Sequence, residues 1–284
     1  MGELIIRNND LLKDWEILCK KKEKETFVKD GLLFRGDIIL NKNKCWNRIE
    51  SGHEDILWEE TPLKIMFLMK DFTNDDMPDI RTETMRKNGI SKDTENPIKR
   101  DSFSMNILYW LYGLTHNNVG RIVPFPEIMD GYKCFQFYEK YPLVRINCKK
   151  NHGGYSISNG KLKLYLNDPD YSVLLAKQIK LFNADIILCC GGSGIIKSFV
   201  EEKCYDDLIR INNWMFYSSE FEKLVIDSYH PSCRKSRQWL YEELLKNYIL
   251  FVRNYPVFSK KINLFIEYEN NHFADFTYSI RETE

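Results

Sequence analysis

The chain has 284 residues with 41 basic and 41 acidic side chains, so its formal net charge is zero. Overall charge therefore gives no argument for nucleic-acid binding, and any such binding must depend on local clusters of cations. Hydrophobic residues make up 43% of the chain, which is typical of a globular protein with a core, and no apolar run approaches the length of a membrane span.

The eight cysteines include no pair with C-x-x-C spacing, and the adjacent Cys189 and Cys190 fall within a strand pattern. This usage favours reduced thiols over a disulfide framework or a zinc site. The first residues lack the cationic start and long apolar stretch of a signal peptide. We therefore expect a cytoplasmic protein with no metal and no other cofactor.

The N-terminal part, residues 1–60, is expected to be a helical extension packed on the core. Its helix is predicted over residues 10–27, with Asp10 as the N-cap and with Leu11, Trp15 and Leu18 on one face. Residues 61–255 are expected to form the main α/β domain. Residues 256–284 are expected to be a C-terminal tail that contains a strand at 262–268.

Four short apolar runs predict buried strands of a parallel sheet, at residues 63–69, 143–147, 184–190 and 224–227. Helices are predicted over residues 102–114, with Ser102 or Ser104 as the cap, over 170–183, from 195 onward, and over 237–253. Residues 75–100 are polar and are predicted to form a long connection between the strand at 63–69 and the helix at 102–114. Strands that alternate with helices indicate an α/β fold, here a single domain around a mostly parallel four-stranded sheet.

Each predicted strand ends in a polar turn: Lys70-Asp71-Phe72, Asn147-Cys148-Lys149, Gly191-Gly192-Ser193-Gly194 and His230-Pro231-Ser232. In an open parallel sheet these ends share one edge, so we expect the turns to converge on a crevice. Taken singly, each turn also suits a purely structural role as a helix cap or a tight turn. The glycine turn is not a P-loop, because no Gly-Lys-Ser/Thr follows it. It is not a dinucleotide-binding fingerprint either, because its glycines do not have the required spacing.

In this order, the four turns resemble the motifs of the uracil-DNA glycosylase superfamily over residues 63–250. Tyr229-His230-Pro231 and the run at 178–191 are most similar to its bacterial and archaeal branch. The resemblance implies an α/β/α sandwich. It also implies that Asp71 and His230 are catalytic and that Asn147 reads a pyrimidine base turned out of the DNA.

The resemblance extends to residues that hold the substrate. It implies that Phe103 stacks on the extruded base and that Ser102, Ser193 and Ser232 contact DNA phosphates. Five cations border the predicted crevice, namely Lys149, Lys150, Arg234, Lys235 and Arg237, and all of them except Lys235 are expected to contact phosphates as well. For any one of these cations, the alternative is that it lies in a solvated surface turn and does not contact DNA.

The chain departs from the family where the first motif usually continues Asp-Pro-Tyr. Here Phe72 and Thr73 follow Asp71. In uracil-specific members the tyrosine closes the C5 side of the pyrimidine pocket, and the smaller Thr73 would leave space for a substituted base. In the alternative interpretation, Phe72 fills that space. The chain also lacks the paired cysteines of the iron–sulfur branch, so no cluster is expected.

These residue types suit cleavage of a sugar–base bond. A carboxylate can stabilise an oxocarbenium-like sugar and orient the attacking water. A histidine can donate a hydrogen bond to the pyrimidine O2, where negative charge collects. The Asn147 amide can pair with uracil in one orientation and with cytosine in the other.

We therefore expect a monomeric, monofunctional DNA glycosylase that releases a pyrimidine. The predicted substrate is a 5-modified cytosine, such as glucosylated hydroxymethylcytosine in phage DNA, which implies a role in anti-phage defence. Removal of uracil in base-excision repair, a catalytically silent nucleic-acid-binding module and an enzyme of free nucleosides are the alternatives. Strand alternation predicts that Lys70 points away from Asp71, which argues against a Schiff-base lyase.

Overall fold

The computed structural model describes residues 2–22, 27–71, 78–89, 97–151, 157–274 and 276–282. The chain forms two compact units. The first, the sheet unit, comprises Met1–Leu33, Lys64–Arg81 and Leu143–His230. The second, the helical unit, comprises Phe34–Leu63, Thr82–Pro142 and Pro231–Glu284. The division at residues 60 and 255 predicted from the sequence stays a prediction.

Helices and strands alternate along most of the described chain. The helices are α1 (Glu3–Lys22), α2 (Glu54–Glu60), α3 (Ser102–His116), α4 (Tyr132–Tyr138), α5 (Asn159–Asn167), α6 (Pro169–Phe182), α7 (Ile195–Lys203), α8 (Arg237–Asn254) and α9 (Pro256–His272). The strands are β1 (Gly31–Leu32), β2 (Ile38–Leu40), β3 (Trp46–Arg48), β4 (Ile65–Met69), β5 (Val144–Asn147), β6 (Ile186–Cys190), β7 (Ile209–Arg210), β8 (Met215–Ser218), β9 (Lys223–Ser228) and β10 (Ile280–Glu282).

The sheet unit is built on a seven-stranded, mostly parallel sheet in the order β1-β5-β4-β6-β9-β8-β7. Its four central strands are the four predicted ones, and they run parallel to one another, which confirms the α/β prediction. The predicted number of four strands is wrong. Strands β1, β7 and β8 extend the edges and pair antiparallel. They are two to four residues long, too short to produce a periodic pattern in the sequence.

The register of the central strands brings their carboxyl ends to one level. Met69 of β4 is paired with Asn147 of β5 and with Cys190 of β6, and Cys190 is paired with Ser228 of β9. Every residue of β4, β5 and β6 is buried. Burial of apolar strands on both faces fixes this register, because a one-residue slip would turn every side chain to the other face.

Helices α1, α5, α6 and α7 flank the sheet within the sheet unit, and α1 packs on α6. Trp15 of α1 stacks on Tyr171 of α6, with ring centroids 5.9 Å apart. The prediction that Asp10 begins this helix is wrong. The helix already begins at Glu3, and Asp10 lies inside it and pairs with Lys13. Leu4 and Ile5 are buried, so packing of the first turns on the core outweighs the capping signal at Asp10.

The helical unit is organised around α3, whose residues 104–116 are all buried. Helix α3 packs against α4, α8 and α9. A small sheet in the order β10-β2-β3 belongs to the same unit. The predicted strand at 262–268 is wrong, because these residues lie in α9. Phe258, Ile262 and Phe265 of α9 are buried at helical spacing, and a short apolar run alone does not separate strand from helix.

No helix in the described part of the chain is long and apolar enough to cross a membrane.

A buried ion pair connects the edge of the sheet to the helices of the sheet unit. The Lys150 ammonium lies 2.5 and 2.6 Å from the two carboxylate oxygens of Asp30, and both side chains have no exposed surface. Gln178 of α6 accepts from Lys150 and donates to Asp30 and to Asn8 of α1. Asp30 Oδ2 also accepts the backbone N–H of Asn147 at 2.8 Å. One carboxylate thus fixes α1, α6 and the end of β5 together.

Removing one partner of this pair should be strongly destabilising, because it leaves a buried charge without its counter-charge. We expect Asp30→Ala and Lys150→Met each to lower the free energy of unfolding by about 3–5 kcal/mol, as measured by urea denaturation. The control is Lys13→Met, which removes the exposed pair with Asp10 and should change stability far less.

The double variant Asp30→Leu with Lys150→Met should be more stable than either single variant, since it removes both charges. Single variants that lose no more stability than Lys13→Met would contradict a structural role for the pair.

Candidate active site

Asp71 lies two residues beyond the end of β4 and is half-buried. Burial raises the pKa of Asp71, while the nearby ammonium groups of Lys149 and Lys70 and the backbone N–H of Ile157 lower it. Its Oδ2 atom is buried and has no hydrogen-bond partner among the described residues. Asp71 therefore presents one carboxylate oxygen that no described residue of the protein uses.

Asn147 ends β5, beside Met69 of β4, and is completely buried. Asp30 holds its backbone N–H, as described above. Neither the oxygen nor the nitrogen of its side-chain amide has a partner within the described chain. A buried polar atom without a hydrogen bond costs about 1–3 kcal/mol, so this amide is a candidate for pairing with a ligand.

His230 lies two residues beyond the end of β9 and packs against Gly191. A Cβ atom at Gly191 would lie 3.0 Å from the Cβ of His230, and the φ of +88° at Gly191 is one that favours glycine. Burial lowers the pKa of His230 to about 4, and the charge of Lys70 lowers it further in the same direction. His230 is therefore neutral at physiological pH, with one ring nitrogen as a donor and the other as an acceptor.

The strands place these three groups at one edge of the sheet unit. Strands β5 and β4 are neighbours, and only β6 separates β4 from β9. With neighbouring strands about 4.8 Å apart, the backbones at Asp71 and His230 lie roughly 10 Å from each other. The predicted convergence of Asp71, Asn147 and His230 at the carboxyl edge is thus the arrangement that the sheet produces.

Lys70 does not point away from this edge as strand alternation predicted. The strand ends at Met69, so the alternation does not continue to Lys70. The Cε of Lys70 lies 3.3 Å from where a Cβ of Gly191 would be, next to His230, and its ammonium donates to Asn159 Oδ1 at 2.9 Å. Its positive charge consequently acts on both Asp71 and His230.

The glycine turn after β6 binds a carboxylate of the protein itself. Gly191, Gly192, Ser193 and Gly194 all have positive φ. The N–H of Gly194 bonds to the Asp227 carboxylate of β9, whose pKa is raised by burial and lowered by Lys197 and by this bond. Ser193, a predicted phosphate contact, is exposed, and its hydroxyl accepts from Asn159 Nδ2 at 3.2 Å. Ser193 thus remains accessible next to Lys70 and Asn159.

The two predicted phosphate-binding lysines after β5 differ in their surroundings. The Lys149 backbone N–H donates to the carbonyl of Lys70, and its ammonium donates to the carbonyl of Asn151. Lys149 is half-buried and close enough to influence Asp71. Lys150, in contrast, is enclosed with Asp30, so its ammonium does not face solvent where a phosphate could reach it.

The remaining predicted residues belong to the helical unit. Ser102 and Phe103 begin α3, with Ser102 exposed and Phe103 half-buried. The helix cap is Asp101 and not the predicted Ser102 or Ser104, because the Asp101 carboxylate accepts the backbone N–H and the hydroxyl of Ser104. The carboxylate accepts both donors, whereas Ser102 lies inside the first helical turn.

The segment after His230 is fixed to the same helix. Asn106 of α3 donates to the carbonyl of Pro231 at 2.6 Å, and Arg237 donates to the carbonyl of Arg100. Ser232 and Arg234 are exposed. Within the helical unit, the predicted stacking and phosphate residues thus gather around the N-terminal end of α3.

Two predicted base-binding residues, Phe72 and Thr73, lie outside the described residues. Within the described chain, no cluster of three or more His, Cys, Asp or Glu residues could hold a metal ion.

Sequence reasoning did not identify Asp30 and Asn159, and it misplaced Lys70. Asp30 precedes a strand of only two residues, and Asn159 lies at the start of a short helix. Neither position has a periodic or motif signal, because each acts through contacts with residues far away in the chain.

No protein-family model matches the chain, and a search of curated proteins finds no significant relative.

The neutral state of His230 can be tested by titration. We expect the ring signals of His230 to titrate near pH 4 by NMR, because burial and the charge of Lys70 both disfavour the protonated form. In Lys70→Met the midpoint should rise but stay below 6.5, since the effect of burial remains. The signals would be assigned with His230→Gln.

The matched control is Lys177→Met, which removes an exposed lysine of α6 and should leave the midpoint unchanged. A wild-type midpoint at the ordinary value for histidine, or no change in Lys70→Met, would contradict the described packing of Lys70 beside His230.

Proposed function

We propose that the protein is a DNA glycosylase that hydrolyses the N-glycosidic bond of a pyrimidine turned out of the DNA stack. The observation that carries this proposal is the fully buried Asn147 amide, whose two polar atoms have no described partner at the edge that also bears Asp71 and His230. A donor and an acceptor side by side match the edge of a pyrimidine base. The motif resemblance to the uracil-DNA glycosylase superfamily supports the same assignment.

Asp71 is suited to the sugar side of the reaction. Cleavage builds positive charge on the sugar, and an ionised carboxylate stabilises that charge. The Oδ2 atom of Asp71, which has no described partner, can also accept a hydrogen bond from the attacking water and orient it. The ammonium groups of Lys149 and Lys70 favour the ionised form of Asp71 against the effect of burial.

His230 and Lys70 are suited to the departing base. A neutral imidazole can donate one hydrogen bond to the pyrimidine O2, where the negative charge develops. Lys70 adds a positive charge beside it, because its side chain runs along Gly191 next to His230. The base can then leave as an anion without first taking a proton from His230.

The proposed substrate is a 5-modified cytosine, such as glucosylated hydroxymethylcytosine in phage DNA. This rests on the sequence, since Thr73 stands where uracil-specific enzymes carry a bulky tyrosine. The proposed biological role is anti-phage defence by a monomeric cytoplasmic enzyme that needs no cofactor and acts on DNA. Phosphate contacts are proposed for Ser193 and Lys149, and for the exposed residues Ser102, Ser232 and Arg234.

The decisive experiment incubates the protein with oligonucleotides that contain uracil, a thymine mismatch, hydroxymethylcytosine or glucosylated hydroxymethylcytosine. Abasic sites are then detected by alkaline cleavage. We expect the substituted cytosine to be processed at least as well as uracil. Activity on uracil alone would identify an ordinary uracil-DNA glycosylase, and no product from any DNA despite binding would identify a silent binding module.

Asp71→Asn and His230→Ala should each lower the single-turnover rate on the processed base by about a hundredfold or more, because each removes a stabilising interaction of the transition state. Binding of DNA, measured by fluorescence anisotropy, should persist in both variants. Asp10→Asn, on the exposed surface of α1, serves as the control. Near-normal turnover in either site variant would exclude that residue from the mechanism.

The product should be an intact abasic strand, as expected of a monofunctional enzyme. Lys70 is the lysine to test, since it lies beside Asp71 and His230, but its ammonium is engaged with Asn159. We expect no strand cleavage before alkali and no covalent protein–DNA adduct after borohydride treatment. An adduct that forms with the wild type and disappears in Lys70→Met would instead identify a lyase.

A further inference from the structure

A cavity of about 640 Å³ lies within the helical unit, and its lining includes none of the residues that have a role in the proposed glycosylase chemistry. It is lined by residues of α3, α4 and the C-terminal half of α9, together with Arg121, Lys140, Phe273, Ala274 and Tyr278. Its volume falls within the range of about 300–1,000 Å³ that is usual for small-molecule sites. We call it the helical-unit cleft.

Three cations line the helical-unit cleft, namely Arg121, Lys133 and Lys140. None of them forms an ion pair with a carboxylate in the described part of the chain. Among the described residues that line the cleft, the acidic one is Glu269, and it is bound to His116. Three like charges around one cavity produce a positive potential that favours an anion.

Two of these cations are held in place before any ligand binds. The Lys133 ammonium bonds to the Tyr112 hydroxyl, which raises the pKa of Lys133, and lies 5.3 Å from the centre of the Tyr112 ring. The Lys140 ammonium donates to the carbonyl of Phe273 at 2.5 Å. An ammonium group has three donors, so each lysine keeps donors for an anion. Pre-organised donors reduce the entropy that binding costs.

The cleft is also lined by a carboxylate and a histidine that bind each other. Glu269 Oε2 is 2.8 Å from Nε2 of His116, and Nδ1 of His116 is 2.8 Å from the Thr115 hydroxyl. His116 also stacks on Tyr112, with ring centroids 3.8 Å apart. These contacts fix the Glu269 carboxylate, which can accept a hydrogen bond from the amino group of a ligand. The lining of the cleft thus combines three cations with a hydrogen-bond acceptor.

We propose that the helical-unit cleft binds a phosphorylated small molecule of nucleotide size. Its phosphate groups are held by Arg121, Lys133 and Lys140. A hydrogen-bond donor on the body of the ligand, such as the amino group of a base, meets Glu269. Lysine and arginine supply charge-assisted hydrogen bonds to phosphate, which are stronger than hydrogen bonds between neutral groups.

The test is calorimetric titration of the whole protein with three probes: deoxycytidine 5′-diphosphate, inorganic pyrophosphate and deoxycytidine. We expect the nucleotide to bind with a Kd below about 1 mM, pyrophosphate to bind more weakly, and the nucleoside to bind most weakly. Arg121→Glu and Lys133→Glu should each weaken nucleotide binding by about tenfold or more, because each loses a charge-assisted hydrogen bond.

Lys260→Glu is the matched control, since it makes the same charge change on α9 at an exposed residue that does not line the cleft. It should alter the affinity by no more than about twofold. Thermal unfolding of each variant verifies that it is folded.

Absence of nucleotide binding to the wild type would overturn the proposal, as would an equal loss of affinity in Lys260→Glu. Binding that is insensitive to Arg121→Glu and Lys133→Glu would place the nucleotide elsewhere, including the candidate active site, and would also overturn it. Because these readouts do not involve cleavage of DNA, failure of the glycosylase proposal would leave the result for the cleft unchanged.

Discussion

The buried ion pair between Asp30 and Lys150 is the interaction on which the sheet unit depends. Charges taken out of water are stable only when every donor and acceptor around them is satisfied. Here Gln178 and Asn8 complete the pairing, so α1, α6 and the sheet edge are held in one relative position. The same carboxylate binds the backbone of Asn147 and thereby connects the stability of the unit to the geometry of the candidate site.

The candidate site shows how a chain with no net charge can carry strong local electrostatics. For His230, burial and the neighbouring lysine both oppose protonation, so the neutral imidazole is doubly favoured. For Asp71 the two influences are opposed, since burial disfavours the carboxylate and the lysines favour it. One cation, Lys70, thus pushes an acid toward its charged form and a base toward its neutral form. These are the forms that the proposed reaction uses.

The central sheet could be predicted from the sequence because β4, β5, β6 and β9 are continuous apolar runs followed by polar turns. Their order and direction place Asp71, Asn147 and His230 at one edge without any knowledge of side-chain contacts. The edge strands could not be predicted, since β1 and β7 have two residues each. Lys150 and Lys70 were misjudged for a related reason. Sequence position shows that a lysine follows a strand, but whether it meets solvent, Asp30 or Asn159 depends on residues many positions away.

The parallel arrangement of the four central strands determines when the candidate site forms during folding. Asp71, Asn147 and His230 belong to strands that are separated by long stretches of chain, and β9 is the last central strand to be synthesised. The chain loses entropy when it closes loops over such separations, and it does so before the stabilising contacts between strands have formed. Parallel sheets are therefore slow to form. A nascent chain therefore has no assembled site until β9 has joined β6. The three groups of the candidate site are brought together only in a protein whose central sheet is already complete.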